Sequence, residues 1–146
     1  MTRAAARWRH AGPTAGLIAH VLIFHGAVRC FGLGRVQRWA SRRIPARPRP
    51  GAEDEIVAAA RLRVRFVKRR VPRILAGNCL SRSLALWWTL ARSGVPTSLC
   101  IGADRHAGTF RAHAWVEHQG VPLNAGRRVH RRFAAFDRNF APTVHG

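Results

Sequence analysis

The least free stretch of this chain is residues 79–93, CLSRSLALWWTLARS, because it is punctuated at both ends. Ala76, Gly77 and Asn78 form a turn before it. Gly94 is a helix stop and Pro96 cannot continue one. Leu80, Leu84, Trp88 and Ala91 fall on one helical stripe, which Leu86 and Leu90 widen. A helix that is apolar nearly all round is a buried core element.

The flanking segments read as strands after it and helices before it. Residues 97–101 suit a short strand and the polar, glycine-containing run 102–109 a loop. Residues 110–117 then alternate: Phe110, Ala112, Ala114 and Val116 take one face, and Arg111, His113, Trp115 and Glu117 the other. Gln119-Gly120 is a turn, with a return strand at 121–123. Beyond Arg127 the tail is basic and aromatic, and Phe133, Phe136 and Phe140 are expected to dock on the domain.

Upstream, the sequence RRIPARPRPG at 42–51 suits neither a helix interior nor a central strand, and is read as a linker. A helix is expected from about Ala52, with Glu53, Asp54 and Glu55 complementing the dipole of its first turn. Its expected apolar face is Ile56, Ala59, Ala60, Leu62, Phe66 and Val67, and Pro72 ends it. Before the linker, Leu17, Val21, Phe24, Val28 and Phe31 repeat at helical steps. A basic start followed by the apolar run 17–28 is similar to a signal or anchor. The run falls short of the ~20 residues that span a bilayer. His20 and His25 interrupt it, and no small-residue cleavage site follows. A packed amphipathic helix is the expectation, with peripheral membrane contact as the secondary one. The chain therefore divides into a helical arm and linker at 1–50 and an α+β domain at 51–146.

The formal charge is +20, and Lys68 is the only lysine among the 26 basic residues. Such a chain attracts acidic partners, less so in salt. The cysteines, Cys30, Cys79 and Cys100, are odd in number and lack CxxC spacing. That disfavours a disulfide framework and suits a reducing, cytoplasmic setting.

Cys79 opens the buried helix. Unpaired N–H groups there favour a thiolate and can hold an oxyanion beside the sulfur. The Cys79 N–H is one expected donor and Asn78 a second. His113, mid-strand on the polar face, can take the thiol proton and return it to a leaving amine. Asn124, at the end of the return strand, is the candidate to orient the imidazole, and a turn residue is its alternative role. Trp115, on the same face, would shield the ring or simply pack.

The blocks CLSRSLALWWTLARSGVPTSLCIG and FRAHAWVEHQGVPLN, in this order and spacing, resemble the leader peptidases of lasso-peptide biosynthesis. The resemblance runs from about Arg73 to Phe136. It implies a papain-like, transglutaminase-like fold, a helix carrying Cys packed on an antiparallel sheet carrying His. It also implies a Cys-His-Asp triad that cuts the leader from a ribosomally made precursor peptide. The family's cysteine opens the CLxRSLAL helix and falls on Cys79; its histidine falls on His113. The usual acid follows the leucine-asparagine pair, where this chain has Ala125. Asn124 is the nearest replacement, with Glu117 and Asp137 the other candidates. At this length the chain resembles the short forms, which rely on a separate leader-recognition protein. An ATP-dependent macrolactam cyclase would act next. No cofactor or metal is implied.

Other readings compete. An acyltransferase of the same fold shares all chemistry up to the acyl-enzyme, and Ala125 leaves room for a scaffold without activity. Cys79, Cys100, His106, His113 and His118 lack recognised zinc spacing, and His106 and His118 read as loop residues. The charge suits a nucleic-acid-binding module, but basic residues are spread along the chain and no nucleic-acid fingerprint appears, so nucleic acid is not an expected partner.

Overall fold

The structure is a computed structural model, described here for residues 3–44, 53–70, 72, 77–106 and 108–140. Helices α1 (Arg3–Phe31), α2 (Leu33–Ser41) and α3 (Glu53–Arg70) precede α4 (Cys79–Arg92). Strands β1 (Ser98–His106), β2 (Thr109–His118) and β3 (Val121–Pro122) follow, then the short helix α5 (Val129–Arg132) and strand β4 (Ala134–Phe140). The strands form one antiparallel sheet in the order β3-β2-β1-β4. Helices and an antiparallel sheet make this an α+β fold with a helical arm at its N-terminus.

Helix α4 forms where its punctuation placed it. Asn78 caps its start, accepting from the Ser81 N–H at 2.8 Å. Its end is a Schellman motif: Val95 N–H reaches Leu90 C=O, Gly94 N–H reaches Ala91 C=O, and Gly94 has φ 79°. Leu84, Leu86, Trp87 and Leu90 are fully buried. Each leucine so buried contributes about 1.5–3 kcal/mol relative to exposure.

One core joins Leu17, Val21 and Phe24 of α1, Val36 and Ala40 of α2 and Val57, Ala60 and Val67 of α3 to α4. Leu99 and Val116 of the sheet, with Leu123, belong to it as well. On the other sheet face, Cys100, Trp115 and Val129 form a second cluster, flanked by Ala125 and Phe133.

Several expectations change. The α3 face is set by Val57, Ala60, Val64 and Val67, while Leu62 and Phe66 are exposed because they lie off that stripe. Phe31, at the end of α1, is exposed too. The segment expected as a loop at 102–109 is largely strand. The hairpin pairs Ser98 with Glu117 through to His106 with Thr109, and opposite charges, Asp104 and Arg111, sit across from each other. His106 and His118 therefore end strands rather than occupying loops, and the buried His118 ring bonds the Pro96 carbonyl at 2.8 Å. Part of the aromatic tail is a strand, β4, paired with β1 through a register shift. Most of the expected linker, 45–51, lies outside the described residues. No described helix is long and apolar enough to cross a membrane.

Candidate active site

The approach to Cys79 is built by α1. Gly77 has φ 63°, and a Cβ there would come within 2.7 Å of Val21 Cγ1. Only glycine combines that left-handed backbone with so close an approach. One turn further along α1, His25 Nδ1 lies 3.2 Å from Ser81 Oγ, which donates to Asn78 Oδ1 at 2.8 Å. Asn78 Oδ1 is thus committed to the cap, and its Nδ2 has no partner among the described residues. The cap consumes the Ser81 N–H, and Arg82 N–H bonds Asn78 C=O. Among the described residues the N–H groups of Cys79 and Leu80 have no partner at the helix start, as expected of a first turn. Cys79 itself is half-buried.

The connection from α4 to the strand that carries His113 runs along the edge of β2. β3 pairs with Glu117 and His118 and then diverges. The Leu123 N–H bonds Val116 C=O at 2.9 Å, and Asn124 Oδ1 accepts from Val116 N–H at 2.8 Å. The asparagine side chain continues the ladder where the backbone has left it. Next along the edge, Ser83 Oγ donates to Ala114 C=O at 2.9 Å and accepts from Asn124 Nδ2 at 2.9 Å. α4 is therefore fastened to the residue beside His113 by a side chain one turn after Cys79. Arg82, near the start of α4, lies close enough for its charge to act on the His113 ring.

His113 is half-buried, stacked on Trp115 at 6.1 Å between centroids and tilted against Phe133 at 5.2 Å. Gly102 lies opposite it in register, where a Cβ would fall 2.8 Å from Ala134 O and 3.1 Å from Phe133 Cβ. The missing side chain is what lets the Phe133 segment close over the imidazole. Burial lowers the proton affinity of His113 below the ordinary 6.5, and Arg82, Lys68 and Arg132 lower it further. The described charges acting on the ring are all positive, so the neutral, proton-accepting form is favoured.

The other site residues fall as follows. Trp115 is fully buried and stacks on His113, while its Nε1 donates to Glu117 Oε1 at 2.5 Å. Glu117 also meets His130 Nε2 at 3.2 Å. Four positions along the strand from His113, it serves the tryptophan and His130. Both ends of the Asn124 side chain are engaged by Val116 and Ser83, neither bond reaching His113. Ala125 lies on the His113 side of the sheet. The backbone of Asp137 pairs with Ile101 in β4, and its side chain lies outside the described residues. No cluster of three or more His, Cys, Asp or Glu is placed to hold a metal among the described residues.

Ser83, Ser81, His25 and Arg82 are contributors that sequence reasoning missed, while Phe133, expected to dock on the domain, does so against His113. Ser83 had a signal: a hydroxyl four residues after Cys79 in a helix otherwise buried must find a partner.

Comparisons with curated proteins and with solved structures return no match. Comparison with protein families aligns residues 22–137 with the transglutaminase-like superfamily, whose members typically use cysteine-based catalysis. That span runs from α1, which buttresses the Gly77 turn, through β4, and so takes in the whole Cys79–His113 arrangement. The chain belongs to the transglutaminase-like superfamily.

Proposed function

We propose that this chain is a cysteine peptidase that removes the leader from a ribosomally made lasso-peptide precursor, with Cys79 as nucleophile and His113 as acid and base. The observation that carries the chemistry is the Ser83 fastening, which ties the helix opened by Cys79 to the strand residue beside His113. The choice of leader peptide as substrate rests on the resemblance of the two sequence blocks.

In this reading neutral His113 takes the Cys79 proton as sulfur attacks the carbonyl at the leader–core junction. The Cys79 N–H and Asn78 Nδ2 hold the oxyanion. Collapse breaks the C–N bond, and His113 gives its proton to the leaving core amine. A water then attacks the thioester, losing its proton to His113, and the leader departs as a carboxylic acid while the thiol is restored. A separate recognition protein delivers the leader, and the freed amine passes to the ATP-dependent cyclase.

The test is leader release followed by mass spectrometry, using purified protein, a candidate precursor and its recognition protein. Release is expected from wild type and absent from Cys79→Ala and His113→Ala. Release that survives Cys79→Ala would overturn the assignment. Transfer of the leader acyl group to an added amine in preference to water would move the reading to an acyltransferase.

A further inference from the structure

On the sheet face away from α4, the 125–133 segment arches over β1 and β2 and leaves an open cavity that borders His113. Arg111, Arg128, Arg131 and Arg132 line it, and Asp104 is the only carboxylate among the described lining residues. Asp104 is already engaged, 3.6 Å from Arg132 Nε and opposite Arg111 in register. Among the described lining residues, guanidiniums therefore outnumber carboxylates by three.

General basicity does not explain this arrangement. The walls between the arginines are apolar, from Phe133 and Val129, and such walls concentrate the field of the charges. Arg132 also acts on His113 itself, so the positive field of the cavity reaches the candidate base. Guanidinium groups recognise carboxylates in paired, planar hydrogen bonds. None of the first-turn residues of α4 lines the cavity, so it is an extension of the site beyond His113.

We infer that this arginine-lined cavity binds an acidic segment of the peptide substrate, one or two Asp or Glu side chains near the reacting bond. The inference rests on the peptidase reading for the location of the substrate. Binding alone, without turnover, is enough to test it.

The probe is a fluorescein-labelled peptide bearing an adjacent Asp pair, with its Asn-Asn counterpart. Both are titrated by anisotropy in physiological salt against the Cys79→Ala protein. The Asp peptide is expected to bind roughly tenfold or more tighter, the scale of one charge-assisted hydrogen bond. Arg128→Ala/Arg131→Ala should abolish that preference, and Arg35→Ala on exposed α2 should not change it. Equal binding of both peptides would overturn the inference. So would equal losses in the cavity and Arg35 variants, or stronger binding of a single-stranded oligonucleotide that displaces the peptide. Asp-selective binding by a protein whose wild type releases no leader would leave the anion site standing and remove the peptidase reading instead.

Discussion

Replacing Asn124 with alanine takes out the side chain that carries the β2 ladder past the end of β3. Val116, fully buried, loses the acceptor for its N–H, at a cost of about 1–3 kcal/mol for a buried donor left unsatisfied. Ser83 loses one donor but still reaches Ala114, a further loss of about 0.5–1.5 kcal/mol. The sum, about 1.5–4.5 kcal/mol, corresponds to a fall in Tm of roughly 5–14 °C for a chain of this size. Thermal unfolding of wild type, Asn124→Ala, Ser83→Ala and the double variant measures it. The two single losses should overlap, because both variants break the Asn124–Ser83 bond, and the double variant should lose less than their sum. Leader release by Asn124→Ala should fall in step with the folded fraction and keep its pH profile. An unchanged Tm with abolished release would refute the reasoning, because it would make Asn124 the partner of His113 rather than the strap of the β2 edge.

Two further outcomes follow from the same geometry. Gly102→Ala places a methyl group against Ala134 O, and is expected to cost about 1–3 kcal/mol while loosening Phe133 from His113; an unperturbed Tm would show that the segment has slack. Activity that needs neutral His113 falls as pH drops through its lowered value, so Arg82→Gln, by removing a positive neighbour, should move the acidic limb of kcat/KM to higher pH; a limb that stays or moves lower would count against Arg82 facing the ring.

What the sequence made legible was local. The Gly-Asn turn, the Cys79 helix and its Gly94 stop follow from residues adjacent in the chain. The alternation through His113 separates the two sheet faces without reference to anything distant. The misread parts depend on partners far away. Residues 102–106 are polar and carry no strand signal of their own; they become strand because β2 pairs along all of them and β4 joins at Gly102 and Ala103. Leu62 and Phe66 looked like core because they are apolar, yet the stripe α3 buries is the one α1 and α4 select. Asn124 was read as a polar residue in search of a histidine. Its bonds depend on how far β3 runs before it diverges, which no spacing encodes.

The contact of Val21 with the Gly77 turn, and of His25 with Ser81 across 56 positions, gives the reactive end of the chain an unusual dependence on timing. During synthesis α1 leaves the ribosome long before the cysteine it will support. The thiol then emerges on a turn whose shape is fixed only when the earlier helix settles beneath it. A nascent chain lacking that settlement would carry every reactive group and still have no defined nucleophile. On the proposed reading, competence for chemistry is a late event of folding, conferred by the oldest part of the polypeptide on one made afterwards.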